Sequence, residues 1–204
     1  TAAGDVVQGV PNDGDWPGAE TPDLAVDDNT GTKYLHFKGE TEASGFQITP
    51  AVGPTVVTGL TFTSANDAIE RDPITFELSG SNEGIDGPYE LIASGDIADF
   101  AQADAIARFT KTSTPIMFEN AAAYTHYQVM FPTVRDAGSA NSMQIAEVEL
   151  LGVTLPLPLA HYTLDDGEGA VARTHQGLGG LGDGITMKIG GTTGAEGLPG
   201  ATMT

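Results

Sequence analysis

Apolar and polar residues alternate with period two over five stretches: Phe46/Ile48, Leu60/Phe62, Ile74/Phe76/Leu78, Tyr127/Val129/Phe131 and Ala146/Val148/Leu150. That period predicts half-buried β-strands. Between them lie turn clusters, Pro50-Ala-Val-Gly-Pro54, Gly80-Ser-Asn-Glu-Gly84, Asp86-Gly-Pro88 and Asp136-Ala-Gly-Ser139, whose residues supply the restricted or positive φ that turns need. Many short strands joined by loops predict an all-β protein, an antiparallel sandwich or jelly roll. Helical character is expected only over Asp99 to Phe109.

The pattern changes near Thr154. Residues 155–204 hold 12 of the 27 glycines, and alternation returns only in His161–Leu164 and Ile185–Ile189. Leu155-Pro-Leu-Pro158 lacks two backbone donors and biases the residues before each proline to extended geometry, so it reads as a stiff connector. The chain is therefore expected to comprise a core-forming head, 1–154, and a Pro/Gly-rich tail, 155–204, with two or three strands. So few strands cannot bury a core alone. The tail is expected to pair with the head's sheet edge or with a neighbouring subunit.

Charge narrows the function classes. Twenty-eight Asp and Glu against eight Lys and Arg give a net charge of −20, which excludes an electrostatic grip on nucleic acid. Such a surface attracts cations, and calcium is the natural candidate for neutralising it. No cysteine is present, so disulfides, thiolate nucleophiles and Cys-ligated metals are excluded. No apolar run reaches the ~18–20 residues of a membrane span. The opening Thr1-Ala2-Ala3 fits a trimmed mature product, and an extracellular location is expected.

Three stretches carry a resemblance: Ala25-Val-Asp-Asp-Asn-Thr-Gly-Thr-Lys33, then Asn66-Asp-Ala-Ile-Glu-Arg-Asp-Pro-Ile-Thr-Phe-Glu-Leu-Ser-Gly-Ser-Asn-Glu-Gly84, then Gln144-Ile-Ala-Glu-Val-Glu-Leu150. Together, over about residues 4 to 152, they resemble the discoidin or coagulation factor five/eight C-type domain. The resemblance implies an eight-stranded galactose-binding-like jelly roll with one calcium ion where the early loop meets the last strand. It assigns Asp27 and Glu147 as carboxylate ligands, Asn29 and Ala146 as carbonyl ligands, and Thr32 as a hydroxyl or carbonyl ligand. The residue types agree with it, because a hard cation takes six to eight oxygens in flexible geometry. Read locally, Asp27 and Asn29 also suit a turn whose side chains bond nearby amides. Asp28 stands where the family often has Gly. In the tail, His161-Tyr-Thr-Leu-Asp-Asp-Gly-Glu-Gly169 is similar to the opening of a laminin-G or concanavalin-like module, but too few residues follow for a whole one.

Discoidin-like modules commonly bind glycans through loops at one end of the barrel. A pyranose site needs an aromatic face and convergent polar groups, because buried hydroxyls left unpaired are costly. The candidates are Trp16, Tyr34, His36, Lys38, Asn66, Glu70, Arg71 and Asn141. Blander roles compete: Arg71 and Asp72 as a surface ion pair, Trp16 as a plug over the barrel end, His36 as an ordinary strand residue. Residues 134–142, where galactose-binding members often carry an aromatic, contain none.

Catalytic signatures are missing. There is no His-Glu-x-x-His or Gly-x-Ser-x-Gly motif, and His36, His126, His161 and His175 lack metal-ligand spacing. Gly177-Leu-Gly-Gly-Leu-Gly182 matches the dinucleotide fingerprint formally, but no clear strand precedes it and no helical pattern follows. Two functions follow. One is a secreted, non-catalytic, calcium-stabilised module binding polysaccharide or cell-surface glycan. The other is a structural subunit of an extracellular fibre or surface assembly, self-associating by strand donation from residues 155–204.

Overall fold

Where apolar side chains recur at every second position, one face of each strand must be covered, and two sheets facing each other do so here. The computed structural model describes residues 1, 4–104 and 106–155, all within the first of two units, Thr1–Leu155 and Pro156–Thr204. The expectations placed on the tail, including its strands, its lectin-like opening and Gly177–Gly182, lie outside the described residues.

The described residues form ten strands, all paired antiparallel: β1 (Val6–Val10), β2 (Tyr34–Phe37), β3 (Ser44–Thr49), β4 (Thr55–Thr63), β5 (Thr75–Ser81), β6 (Glu90–Asp96), β7 (Ile116–Met117), β8 (His126–Phe131), β9 (Ser142–Ile145) and β10 (Glu147–Thr154). A five-stranded sheet runs β1-β3-β8-β5-β6, a three-stranded sheet β10-β4-β7, and β2 pairs with β9. Phe46, Ile48, Leu60, Phe62, Phe76, Leu78, Tyr127, Val129, Phe131 and Val148, all expected to face inward, are buried. Phe62 of β4 lies 5.6 Å from Phe76 and 6.1 Å from Phe131 between ring centroids, so the two sheets meet through aromatic contacts. Each such ring removed from water contributes roughly 1.5–3 kcal/mol.

Ten strands replace the expected eight. One reason is a switch of sheets at Ala146. β9 runs along β2 as far as Ile145; then the Ala146 amide donates to the Thr63 carbonyl at 3.0 Å, and β10 continues along β4 from the Glu147–Thr63 pair. The closing segment thus serves two sheets, and Glu147 sits at the corner between them.

The helix expected over Asp99–Phe109 is a single turn, α1 (Ala98–Ala101), ended by extended backbone at Gln102. Arg135 explains the stop. Its guanidinium donates to the carbonyls of Phe100 (2.5 Å) and Ala103 (3.0 Å), acceptors that a longer helix would use internally.

Candidate functional site

Two neighbourhoods hold the candidate residues. The first is the loop between the 3-10 turn Pro22–Ala25 and β2, facing the β9–β10 corner. The Asn29 amide donates to both Asp27 Oδ1 (3.0 Å) and Glu147 Oε1 (2.9 Å), joining residues 118 positions apart. Thr32 Oγ1 lies 2.9 Å from Asp27 Oδ2 and 2.7 Å from the Asn29 carbonyl, and Gly31 N–H donates to Asn29 Oδ1 at 3.0 Å. Asp28, standing where the resemblance would often place Gly, adopts φ +61, left-handed geometry that glycine takes more readily.

The electrostatics of this corner are unbalanced. Glu147 is buried, and burial together with the neighbouring Asp27 carboxylate pushes its pKa up to about 8. Its Oε2 is buried without a hydrogen-bond partner. Among the described residues, no Lys, Arg or His forms an ion pair with Asp27 or Glu147. A buried carboxylate beside a second one is costly unless a proton or a cation neutralises part of the charge. The expected set fits such an ion: Asp27, Asn29, Thr32 and Glu147 converge, and Ala146 adjoins them in the chain. Among the described residues no three His, Cys, Asp or Glu gather to hold a metal ion, so an ion at this corner would take most of its ligands from neutral oxygens.

The second neighbourhood is the loop between β4 and β5. Here the acids find cations within the chain. Lys33, buried, donates to Asp67 Oδ1 and to Gln144 Oε1, each at 2.9 Å. Burial works to raise the Asp67 pKa, but the hydrogen bond and charge of Lys33 outweigh it and hold it below the usual carboxylate value. The Gln144 amide donates to the Asp67 and Ala68 carbonyls (2.6 and 3.1 Å). Arg108 grips Asp72 with both terminal nitrogens (2.9 and 2.5 Å) and also donates to the Asp67 carbonyl at 3.0 Å. Asp72 is therefore a buried partner of Arg108 and not half of a surface pair with Arg71. The loop before β9 closes on the same segment, with the amides of Arg135 and Asp136 donating to the Asp72 and Glu70 carbonyls.

The ligand candidates divide accordingly. Asn66 and Asn141 are exposed, Glu70 and Arg71 are half-buried, and Arg71 Nε is enclosed without a partner. Trp16, Tyr34 and His36 form a separate aromatic cluster, with Trp16 6.2 Å from each of the others. Tyr34 is fully buried and presents no face for a sugar; burial raises its pKa, as does the nearby Asp13 charge. His36 is 3% exposed, with Nε2 3.3 Å from Asp13 Oδ1. Trp16 lies over Gly9 of β1, where a Cβ would come within 2.7 Å of its ring. Lys38 is exposed and pairs with Asp15 at 2.7 Å. Tyr34 thus packs as core and offers no face to a pyranose, while Trp16 is part-buried with its ring packed over Gly9.

Lys33, Arg108 and Gln144 were not among the expected site residues. Lys33 and Gln144 stand in strand-like sequence, where only an inward-pointing charge and amide hint at a role. Arg108 lay in the stretch read as helix.

With this geometry in hand, solved structures supply the context. The chain is similar to a family 32 carbohydrate-binding module from a family 31 glycoside hydrolase of Clostridium perfringens, with a TM-score of 0.56, 10% identity, and coverage of 72% of this chain and 91% of that one. The fold is that of a family 32 carbohydrate-binding module. The family 32 module of C. perfringens NanJ, solved with galactose, is similar at TM-score 0.51 and 12% identity, covering 72% of this chain and 92% of its own. Two family 32 modules of C. perfringens ZmpB, solved with GalNAc, match at TM-score 0.52 and 18% identity over 70% of this chain and 33% of theirs. No family model and no curated protein matches the sequence. The family 32 fold is the galactose-binding-like architecture implied by the three sequence stretches. Among the described residues no helix is long and apolar enough to cross a membrane.

Proposed function

We propose that this chain is a non-catalytic carbohydrate-binding module that acts outside the cell and recognises polysaccharide or cell-surface glycan. One observation carries the reading: a family 32 fold in which the loops after β4 and before β9 are tied together, with Asn66 and Asn141 exposed on them and Arg71 half-buried. Those side chains offer the donors and acceptors that sugar hydroxyls require. A calcium ion held by Asp27, Asn29, Thr32, Ala146 and Glu147 supplies the positive charge that the β9–β10 corner lacks. Its role is mechanical, linking the early loop to the last strand and adding folding energy as a bound ligand. A glycan array probed in calcium buffer tests the function; silence across neutral and acidic glycans overturns it.

A second reading, the structural subunit, is favoured by a different observation. β10 is an edge strand of its sheet, and Val153 (63% exposed) and Leu155 (45%) extend its apolar surface into solvent. An open apolar edge is a template for another strand. Light scattering of the intact chain and of one truncated after Thr154 tests it, with assembly expected only for the intact chain.

A further inference from the structure

The proposed glycan site has polar groups but, in the loop before β9, no aromatic ring. The structure places one elsewhere. Phe109 is 49% exposed and holds φ +57, left-handed geometry that a bulky L-residue rarely adopts. The strain is maintained by a dense set of hydrogen bonds around Ser64. The Phe109 amide donates to the Ser64 carbonyl (3.1 Å) and approaches the Ala65 carbonyl (3.4 Å). Ser64 Oγ donates to the Ala107 carbonyl at 2.8 Å and accepts the Thr110 amide at 3.1 Å, while Ser64 N–H donates to the Thr110 carbonyl at 3.0 Å. Next to Phe109, Arg108 is anchored to Asp72 and Asp67. The backbone reversal therefore sends one residue of the pair inward and leaves the next ring in solvent, while the Phe109 amide approaches the carbonyl of Ala65, the residue before exposed Asn66. Glycine or asparagine would satisfy this backbone more cheaply, and strain of this kind concentrates at functional sites. Phe37, also part-exposed, differs because it lies on β2 and ordinary strand alternation accounts for it.

We propose that Phe109 is the stacking platform of the glycan site, with Asn66 reading hydroxyls at its edge, and that the ligand is a neutral pyranose. This rests on the carbohydrate-binding reading. The neutral class follows from net charge: the head carries 23 acidic and six basic residues, Lys33 and Arg108 are committed to Asp67 and Asp72, and Arg71 is the half-buried cation left in this loop against that excess. An anionic sugar meets the repulsion of that net negative charge.

Calorimetric titration of the full chain with galactose, a neutral galactan and a sulfated galactan, beside a glycan array, tests it. Phe109→Gly should lose about tenfold or more in affinity for the neutral ligand, the scale of an aromatic anchor. Because glycine relieves the left-handed strain, the same variant should keep its unfolding temperature or gain about 2–4 °C. Phe109→Tyr should restore binding, and Phe37→Ala should bind as the parent does. Unchanged affinity in Phe109→Gly, a drop in its unfolding temperature without rescue of binding by Phe109→Tyr, or preference for the sulfated galactan overturns the inference while leaving carbohydrate binding in place. Silence of the parent on every glycan overturns both.

Discussion

Two acidic loops of this protein handle their carboxylates in opposite ways. In the loop after β4, Asp67 and Asp72 each meet a cation from a distant part of the chain, Lys33 and Arg108. In the loop before β2, Asp27 meets Glu147, another acid, across a shared amide. In the first loop both acids are paired with cations of the chain, although burial still raises the pKa of Asp72 against the pull of Arg108. In the second, no cation of the described residues pairs with either acid, and a proton on Glu147 or a bound cation would relieve the repulsion. Burial makes the contrast consequential, since a charge at the surface is screened by water whereas Glu147 at the β9–β10 corner is not.

The comparison can be broken at several points. The largest effect is expected from Arg108→Ala, which leaves Asp72 buried and uncompensated; unfolding in denaturant should show a loss of about 3–5 kcal/mol, the same with calcium or with chelator. Next is the ion itself. If calcium is present at ~100 times its dissociation constant, linkage gives about 2.7 kcal/mol, so chelation should lower the unfolding temperature by several degrees. Glu147→Gln should abolish that response and, in chelator, unfold no earlier than the parent. A parent chain whose unfolding temperature ignores chelator removes the distinction between the loops. Lys33→Met should cost about 1.5–3 kcal/mol, the range for hydrogen bonds to charged groups, with the calcium response intact. The smallest effect belongs to Asp28→Gly, which relieves a positive φ and removes a nearby negative charge; in chelator it should stabilise by about 1 kcal/mol or less.

Much of the architecture was legible in the chain. Phe46, Phe62, Phe76, Val129 and Val148 sit where period two put them, because alternation reports which face a strand buries whatever it pairs with. The convergence of Asp27 and Glu147 was expected from the resemblance of three stretches, and the Asn29 amide bonds to both; the calcium they are proposed to hold is a separate matter. The glycan side was less legible. Asn66, Arg71 and Asn141 stand at the loops, but Tyr34 and Trp16 pack inward, since an aromatic in a short strand reads alike as core or platform. The stretch 99–109 misled for a related reason: its local propensity favours helix, and only Arg135, arriving from the loop after β8, takes the carbonyls that end it.

The sequence by itself determined the strands, their inward faces, the excess of negative charge and the point near residue 154 where the composition changes. These are properties of neighbours in the chain, carried by side-chain periodicity and residue count. Only the tertiary structure decided which acid meets which cation, where the closing strand changes sheets, and that Phe109 stands in solvent with its amide held at Ser64. Each of those depends on contacts between residues tens of positions apart, and no local pattern encodes a partner that folding alone brings within a few ångströms.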